Sequence, residues 1–329
     1  MNVIANMFAF KEDYSASTQL KQSDAGKRYE LYMQNMVVSL VSAKLKNPED
    51  EVLLVATDEP PKQYLDILKK YQIRNVIVPY EEKYQAGKEF TWSLIFYRFS
   101  ALDYLLSVPE YERICLIDTD TLCTRELKEL WEECSDAMML YPVNHSYEHN
   151  ERKMIRDFYR ELREKGSEQY AQCPEQLPLP HYGGEFFCGP AKALREFTEI
   201  AKGIFFTFKE KGFPGNPNFN DEHVFSIAAA LYRAQGKPVL EAAAYIWRYW
   251  TEKRFYLVAT NTVYNPVCIW HVPGEKDKGM LLLYRYFLKH GEFPDIPGAA
   301  KLLGIAPAKR PYPLMSLYAQ WVRRCAGKK

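Results

Sequence analysis

Residues 112–123, ERICLIDTDTLC, contain the pattern that decides the fold class of this chain. The run ICLI is continuously apolar, which is typical of a strand buried on both faces of a sheet. It ends on Asp118-Thr119-Asp120, so two carboxylates lie one residue apart directly after the strand. Ligands of open α/β sheets bind beyond the carboxyl ends of the strands. This D-x-D tripeptide therefore predicts a binding site at that edge of the sheet.

Apolar runs alternate with segments of helical spacing before this strand. Buried strands are predicted over residues 2–10, 51–57 and 73–79, and helices over residues 26–46, 61–71 and 91–106. Thr91 is expected to be the N-cap of the third helix, because a Thr side chain can accept from the first free amides of a helix. The alternation predicts an α/β protein with a mostly parallel central sheet flanked by helices.

The composition excludes several classes of protein. With 47% hydrophobic and 26% charged residues among 329, the chain is too apolar to be disordered. Its net charge of +1 lacks the positive field of a nucleic-acid binder, so no nucleic-acid partner is expected. No apolar run is long enough to span a membrane, and the start lacks a secretory signal. The seven cysteines form no CxxC pair, so we expect reduced thiols in a cytoplasmic protein.

The C-terminal segment differs from the rest in charge. Residues 309–329 carry six Lys and Arg, with no acidic residue after Asp295. A helix there would place Leu314, either Leu317 or Tyr318, and Trp321 on one face beside the cationic end. Such a segment is typical of a peripheral anchor on an anionic membrane surface, and it is equally compatible with docking on the protein's own core. We expect residues 281–329 to form a helical, basic extension.

The chemistry of the D-x-D tripeptide leaves several interpretations open. Paired carboxylates suit Mg²⁺ or Mn²⁺, which in turn bind a diphosphate. The same residues can instead cap backbone amides in a turn. DTDTL also fits the D-x-D-x-T pattern of haloacid-dehalogenase-like phosphatases, in which the first Asp is phosphorylated, but residues 121–329 lack the later Asp pattern of that class. A non-catalytic nucleotide-sugar-binding protein is a further alternative.

A late segment, CIWHVPGEKDKG over residues 268–279, offers complementary groups. It places His271 after a strand-like run, followed by a Pro-Gly turn with Gly274 and then by Lys276 and Lys278. An imidazole and two ammonium groups suit a metal-bound pyrophosphate. A histidine beside Trp270 can also be an ordinary hydrogen-bonded core residue.

Four parts of the chain together carry a resemblance to a known family. They are the N-terminal strand, residues 93–123, HYGGEFFCG over residues 181–189, and FNDEHVFS over residues 219–226 with the later IWHVPG. The chain resembles glycosyltransferase family eight, the group of glycogenin and bacterial lipooligosaccharide galactosyltransferases, with a secondary similarity to family six. The resemblance implies a Rossmann-like GT-A catalytic domain over residues 1–280, with a charged helical insertion at about residues 145–175.

This resemblance implies a metal site and a donor site. The implied ligands of Mn²⁺ (or Mg²⁺) are Asp118, Asp120 and His271. A lysine of the late loop would bind phosphate; Asp277 stands where the family has that lysine, and Lys276 and Lys278 flank it. The other implied donor-binding residues are Ala9, Phe10 and Tyr14 for the uracil, Arg98, Thr119, Gly183, Gly184 and Glu185 near the sugar and diphosphate, and Gly274 in the late loop.

The pair Asp221-Glu222 corresponds to the family's Asp-Gln pair and to the Asp-Glu pair of family six. The resemblance implies that Glu222, or alternatively Asp221, stabilises or attacks the oxocarbenium-like centre of the sugar. Both residues would also suit a helix N-terminus, where the macrodipole favours carboxylates. The implied function is transfer of a hexose from a UDP-sugar to a saccharide or lipid-linked acceptor, with retention at the anomeric carbon. The charged helix expected over residues 147–170 is interpreted either as a lid or acceptor-binding flap, or as a solvated helix.

Overall fold

The computed structural model describes residues 1–11, 24–143, 148–166, 168–251 and 265–305. The strands are β1 (Asn2–Phe8), β2 (Glu51–Ala56), β3 (Arg74–Ile77), β4 (Arg113–Ile117), β5 (Thr121–Cys123), β6 (Met138–Pro142), β7 (Tyr182–Pro190), β8 (Val239–Glu241), β9 (Ile246–Arg248) and β10 (Ile269–His271). The helices are α1 (Ala25–Lys46), α2 (Lys62–Lys70), α3 (Tyr97–Ser107), α4 (Lys128–Glu133), α5 (Glu148–Lys165), α6 (Glu168–Ala171), α7 (Ala191–Lys211), α8 (Asp221–Ala234), α9 (Gly279–His290) and α10 (Ile296–Leu302).

The central sheet has seven strands in the order β3-β2-β1-β4-β7-β6-β8. Within this sheet β7 is antiparallel to both of its neighbours, β4 and β6, and every other neighbouring pair is parallel. The strands β1, β2, β3 and β4 were all predicted, and they lie side by side. The predicted α/β fold with a mostly parallel sheet is therefore confirmed.

The core lies on both faces of this sheet, as the continuous apolar strands require. Val3 and Ala5 of β1 pack into the cluster on the side of α3, α7 and α8, whereas Ile4 packs into the cluster on the side of α1 and α9. Asn6 is the polar exception in this strand: its side-chain amide is buried and donates to the carbonyl of Ile117, 2.9 Å away. That bond ties the end of β1 to the end of β4, next to the D-x-D.

A second sheet of three strands, in the order β5-β10-β9, lies beside the D-x-D. The strand β5 begins directly after the tripeptide and pairs with β10, so that His271 lies opposite Thr121. On its other side β10 pairs with β9, and His271 lies opposite Arg248. This small sheet brings chain segments about 130 and 150 residues further along to the carboxyl end of β4.

The third helix differs from its prediction. A 3₁₀ turn over Ser93–Phe96 precedes it, and the α-helix begins only at Tyr97, with Phe96 at the N-cap position. Thr91 is therefore not the N-cap. Its backbone amide donates to the carbonyl of Pro217, 3.0 Å away, so this part of the chain is held by a loop contact instead.

The charged segment after β6 is a packed amphipathic helix. On α5, Ile155, Phe158 and Leu162 are buried and belong to the main core cluster, together with residues of α7 and α8. Their spacing of three and four residues places them on one face of the helix. The interpretation as a merely solvated helix is therefore wrong, because one face of the helix is buried in the core.

The C-terminal boundary expected at residue 280 falls inside α9. Leu283 and Phe287 of this helix are buried in the cluster that also contains residues of α1, so residues beyond 280 belong to the core. The basic segment 309–329, with Trp321, lies outside the described residues. Within the described ranges no helix is long and apolar enough to cross a membrane. The cysteines in those ranges, residues 115, 123, 134, 173, 188 and 268, are free.

Candidate active site

A cavity of about 380 Å³ opens at the carboxyl ends of β1 and β4. Its lining combines apolar and aromatic side chains with charged ones, a mixture typical of ligand sites. Phe8 is the last residue of β1, and Phe10 lies just beyond it. Both rings pack against Tyr29 of α1, with centroid distances of 5.6 Å for Phe8 and 5.1 Å for Phe10. The charged residues form two groups that meet at Glu185.

The first, which we call the D-x-D group, consists of Asp118, Asp120, His271 and Lys276. One ligand atom from each of Asp118, Asp120 and His271 lies within 4.8 Å of the others. His271 Nε2 lies 3.2 Å from Asp120 Oδ2, and Lys276 Nζ contacts the same oxygen. The aspartate carboxylates thus bond to side chains of other elements and, among the described residues, not to amides of their own turn. The turn-capping interpretation of the D-x-D is therefore wrong.

The charged side chains of this group shift one another's pKa values. Burial opposes ionisation of Asp120, but the positive charges of Lys276 and His271 hold the pKa of its carboxyl far below its usual range. Burial would lower the pKa of His271, yet the carboxylates of Asp120 and Glu185 raise it to about 9. Two carboxylate oxygens and an imidazole nitrogen are a donor set that fits a hard divalent cation. Such a cation would replace the proton that His271 otherwise carries.

Glu185 of β7 orients His271 from the other side. Its Oε1 lies 3.1 Å from His271 Nδ1, which leaves Nε2 directed toward Asp120. A carboxylate behind a metal-binding histidine fixes the ring orientation in this way in many metal sites. Despite its burial, the charges of Arg248 and His271 lower the pKa of Glu185 to about 2.

The second group, which we call the α8 group, consists of Glu185, Asp221, Glu222, Arg248 and His181. The helix α8 begins with Asp221 and Glu222, and its N-cap residue Asn220 forms a capping box with His223. The capping box determines where the first helical turn begins, and it therefore fixes the positions of the Asp221 and Glu222 side chains.

Glu222 is bonded through both of its carboxylate oxygens. Oε1 accepts from Arg248 Nη2 at 2.7 Å and from the amide of Gly184 at 3.2 Å, and Oε2 lies 2.9 Å from His181 Nε2. Burial opposes ionisation, but Arg248 and His181 hold the pKa of this carboxyl well below its usual value. The side chain is 21% exposed and lines the cavity, so the carboxylate faces the cavity.

Asp221 is in a different state from its neighbour. Burial raises its pKa to about 7, and the nearby charge of Arg98 only partly opposes this. Its Oδ2 lies 3.3 Å from Arg98 Nε but accepts no hydrogen bond from the described residues. Gly184 lies against this carboxylate: a Cβ at that position would stand 2.7 Å from Asp221 Oδ2, so only glycine fits.

Arg98 of α3 is a buried residue that bonds to the first aspartate of the D-x-D. Its side chain is 1% exposed and lies over the ring of Phe187, 5.2 Å from the centroid. One terminal nitrogen contacts the carbonyl of Gly184, and the other donates to Asp118 Oδ1 at 3.2 Å. Arg98 therefore joins the D-x-D to Gly184 of β7.

Most of the residues singled out from the sequence line this one cavity. They are Ala9, Phe10, Arg98, Asp118, Thr119, Asp120, Gly184, Glu185, Asp221, Glu222, His271 and Lys276. Gly183 and Gly274 are buried next to lining residues without lining the cavity themselves. Lys278 is exposed and lies outside the cavity lining, at the N-cap position of α9, so of the two late lysines only Lys276 reaches the site. Tyr14 lies outside the described residues.

Sequence reasoning missed two residues of the α8 group. Arg248 interrupts the apolar run YIWRYW, and a charged residue in a buried strand needs a charged partner, which was a usable signal. His181 begins the HYGG segment, but nothing in its neighbours indicates that its ring reaches Glu222, 41 residues away.

The sheet places an acidic site at the carboxyl end of a central strand, which is where open α/β sheets bind their ligands. Residues 7–172 match the family model described as Glycosyl transferase family 8. The chain belongs to that family and is a glycosyltransferase. Neither the phosphatase interpretation of DTDTL nor a non-catalytic binding protein is favoured by this membership.

Similar solved structures include mouse xyloside xylosyltransferase 1 in its apo form, with 14% identity, 82% of this chain and 96% of that chain covered, and a TM-score of 0.47. The galactosyltransferase LgtC in complex with donor and acceptor sugar analogues has 11% identity, coverages of 82% and 86%, and a TM-score of 0.49. An active-site mutant of LgtC has 13% identity, the same coverages and a TM-score of 0.48. No curated protein sequence matches the chain.

Proposed function

We propose that this glycosyltransferase transfers a hexose from a nucleoside diphosphate sugar, UDP-hexose, with the help of Mn²⁺ (or Mg²⁺). The observation that carries the proposal is that Asp118, Asp120 and His271 converge at the cavity. Lys276 lies there too and contacts the carboxylate of Asp120. These three side chains would hold the ion, which when bound neutralises the diphosphate and the charge of the leaving nucleotide. Lys276 supplies a second positive charge at the same place.

The nucleoside would lie at the end of β1. Ala9 and Phe10 line the cavity there, and the aromatic cluster of Phe8, Phe10 and Tyr29 offers a rigid apolar wall for a base. Tyr14 and Thr119, both expected to touch the donor, remain proposals from the resemblance. A volume of about 380 Å³ lies within the usual size range of small-molecule sites.

The sugar would lie between the D-x-D group and α8. Glu222 would face the anomeric carbon as a fixed negative charge and stabilise its positive charge in the transition state. Asp221 and Glu185 are the other carboxylates of this end, and Gly184 allows close approach of the sugar to the backbone. We propose retention of the anomeric configuration and a saccharide or lipid-linked acceptor.

For the location, we propose a cytoplasmic enzyme that contacts an anionic membrane through the six cationic residues after position 308. Each such residue near an anionic leaflet contributes on the order of 1 kcal/mol. Truncation after Pro307 should abolish salt-sensitive binding to phosphatidylserine vesicles and leave UDP-sugar hydrolysis intact. A truncated chain that fails to fold would instead assign the segment to the core.

The reaction class is tested by incubating the protein with UDP-glucose, UDP-galactose and p-nitrophenyl phosphate, each with and without Mn²⁺. A transferase without acceptor should hydrolyse a UDP-sugar slowly and only with metal. An aspartyl-phosphate enzyme should instead release phosphate from the simple ester and trap beryllofluoride at Asp118. Robust phosphomonoesterase activity would overturn the proposed function.

A further inference from the structure

Arg248 is the buried cation that links the two groups of the site. It ends β9, is 6% exposed, and lies opposite His271 in the small sheet. Its Nε donates to Glu185 Oε1 at 2.6 Å, and its Nη2 contacts both Glu185 Oε2 and Glu222 Oε1. One guanidinium group therefore binds Glu185 through two nitrogens and bridges to a second carboxylate.

These two carboxylates depend on such a partner. Glu185 is 1% exposed, and an isolated ionised carboxylate at such a position is strongly disfavoured. A planar guanidinium fork matches the two oxygens of one carboxylate and still has a nitrogen for the next, which an ammonium group cannot do with the same geometry. The residue type at position 248 is therefore specific to the arrangement around it.

The contacts continue without a break through the site. Glu222 bonds to Arg248, and Arg248 to Glu185. Glu185 bonds in turn to His271, and His271 to Asp120. The carboxylate at the start of α8 is thus connected through buried charged groups to the carboxylate of the D-x-D.

We propose that Arg248 is a positioning residue for sugar transfer, which holds the Glu222 carboxylate in one orientation and connects it through Glu185 to the histidine of the D-x-D group. It acts through Glu222, whose carboxylate it holds at the wall of the cavity that both residues line. The inference rests on the proposed role of Glu222 and extends it to a residue on another strand.

The geometry of Glu222 determines what such positioning achieves. Oε1 already accepts two hydrogen bonds, from Arg248 and from the amide of Gly184, and Oε2 is bonded to His181. A carboxylate held in this way stays where it is when positive charge develops on the sugar, so it requires no reorganisation in the transition state. It therefore serves as a fixed electrostatic group.

The test is a double-mutant cycle on turnover with Arg248→Met, Glu222→Gln and the double variant, at saturating Mn²⁺ and UDP-sugar. We expect Arg248→Met to lower kcat by about 100-fold, the size of the effect of losing one preorganised charged contact, with the donor KM within about threefold. Arg248→Lys should recover part of kcat. The double variant should be no slower than Glu222→Gln alone, because Arg248 acts through that residue.

A matched control is Arg233→Met. Arg233 is also partly buried, donates to the carbonyl of Val239 at 2.7 Å and lies over the ring of Tyr182, but it is outside the cavity lining. It should lower the melting temperature with kcat unchanged. If Arg248→Met behaves in the same way, or if its effect on kcat adds fully to that of Glu222→Gln, the positioning role is wrong.

Two further measurements keep the inference testable in all cases. If Arg248→Met does not fold, two other variants replace it: Arg248→Lys and the double variant Arg248→Met/Glu185→Gln. The double variant removes the charge of Glu185, which would otherwise be buried without the Arg248 guanidinium. The same cycle on the free energy of unfolding, without substrate, must show coupling between positions 248 and 222; additivity there overturns the inference. Absence of any UDP-sugar turnover in the unmodified enzyme would instead contradict the proposed function, while the unfolding cycle still tests the contact.

Discussion

The D-x-D group and the α8 group differ in how complete they are. In the D-x-D group, Asp118, Asp120 and His271 surround a point that a divalent ion fits, and a proton on His271 and the ammonium of Lys276 balance the charge without it. In the α8 group, Arg248 and His181 already bond to the two carboxylate oxygens of Glu222. We therefore propose that the first group works by binding a metal ion and the donor, and the second as a set of charges already paired within the protein.

The largest effect is expected from the group that needs a ligand. Asp120→Asn removes the charge to which His271 and Lys276 are bonded and one of the proposed metal ligands. We expect kcat to fall at least about 10³-fold, since several kcal/mol of charge stabilisation by the metal are lost. Steady-state turnover of UDP-sugar with Mn²⁺ measures this. Asp277→Asn, which removes a carboxylate of the late loop next to Lys276 but outside the cavity lining, is the control and should retain full activity.

Glu222→Gln tests the α8 group. It keeps the shape of the side chain and removes its charge, so we expect kcat to fall about 10²-fold with little change in the donor KM, because the charge matters mainly in the transition state. Glu241→Gln, exposed at the end of β8, should change neither constant. Near-normal turnover in Glu222→Gln would move the role to Asp221 or Glu185.

The two lysines of the late loop refine the comparison. Lys276 is buried and contacts Asp120, whereas Lys278 is exposed. Lys276→Met should weaken binding of UDP with Mn²⁺ about tenfold, the scale of one lost charged hydrogen bond, and Lys278→Met should change it less than about twofold. Calorimetric titration with UDP measures both. Equal losses in the two variants would contradict the assignment of phosphate binding to Lys276.

The sequence singled out all four residues of the D-x-D group but missed Arg248 and His181 of the α8 group, for a physical reason. Asp118 and Asp120 follow a buried strand, and the periodic pattern that predicts the strand also predicts where its carboxyl end lies. The contacts of Glu222 come from β7 and β9, and no local pattern encodes which strands of a small sheet will pair. The buried face of α5 was missed because its many charged residues conceal the apolar positions three and four residues apart.

The smallest effect concerns the pH dependence of stability without metal. The pKa of His271 is about 9 in the folded chain and 6.5 as its ordinary value, so its contribution to stability is complete below pH 6.5 and is lost as the pH rises through 9. The free energy of unfolding in chelator should fall by at most about 1.4 kcal/mol per pH unit in this window. Urea titrations at several pH values measure it, and His271→Gln should remove this slope. An unchanged slope in that variant would contradict the coupling to Asp120 and Glu185.

The most direct test of the central claim is calorimetric titration of UDP into the unmodified protein, with Mn²⁺ and then with chelator. The D-x-D group is proposed to hold the nucleotide through a metal ion, so binding should depend on Mn²⁺ and should lose that dependence in Asp118→Asn. Binding of UDP that is equally strong with Mn²⁺ and with chelator would contradict the account.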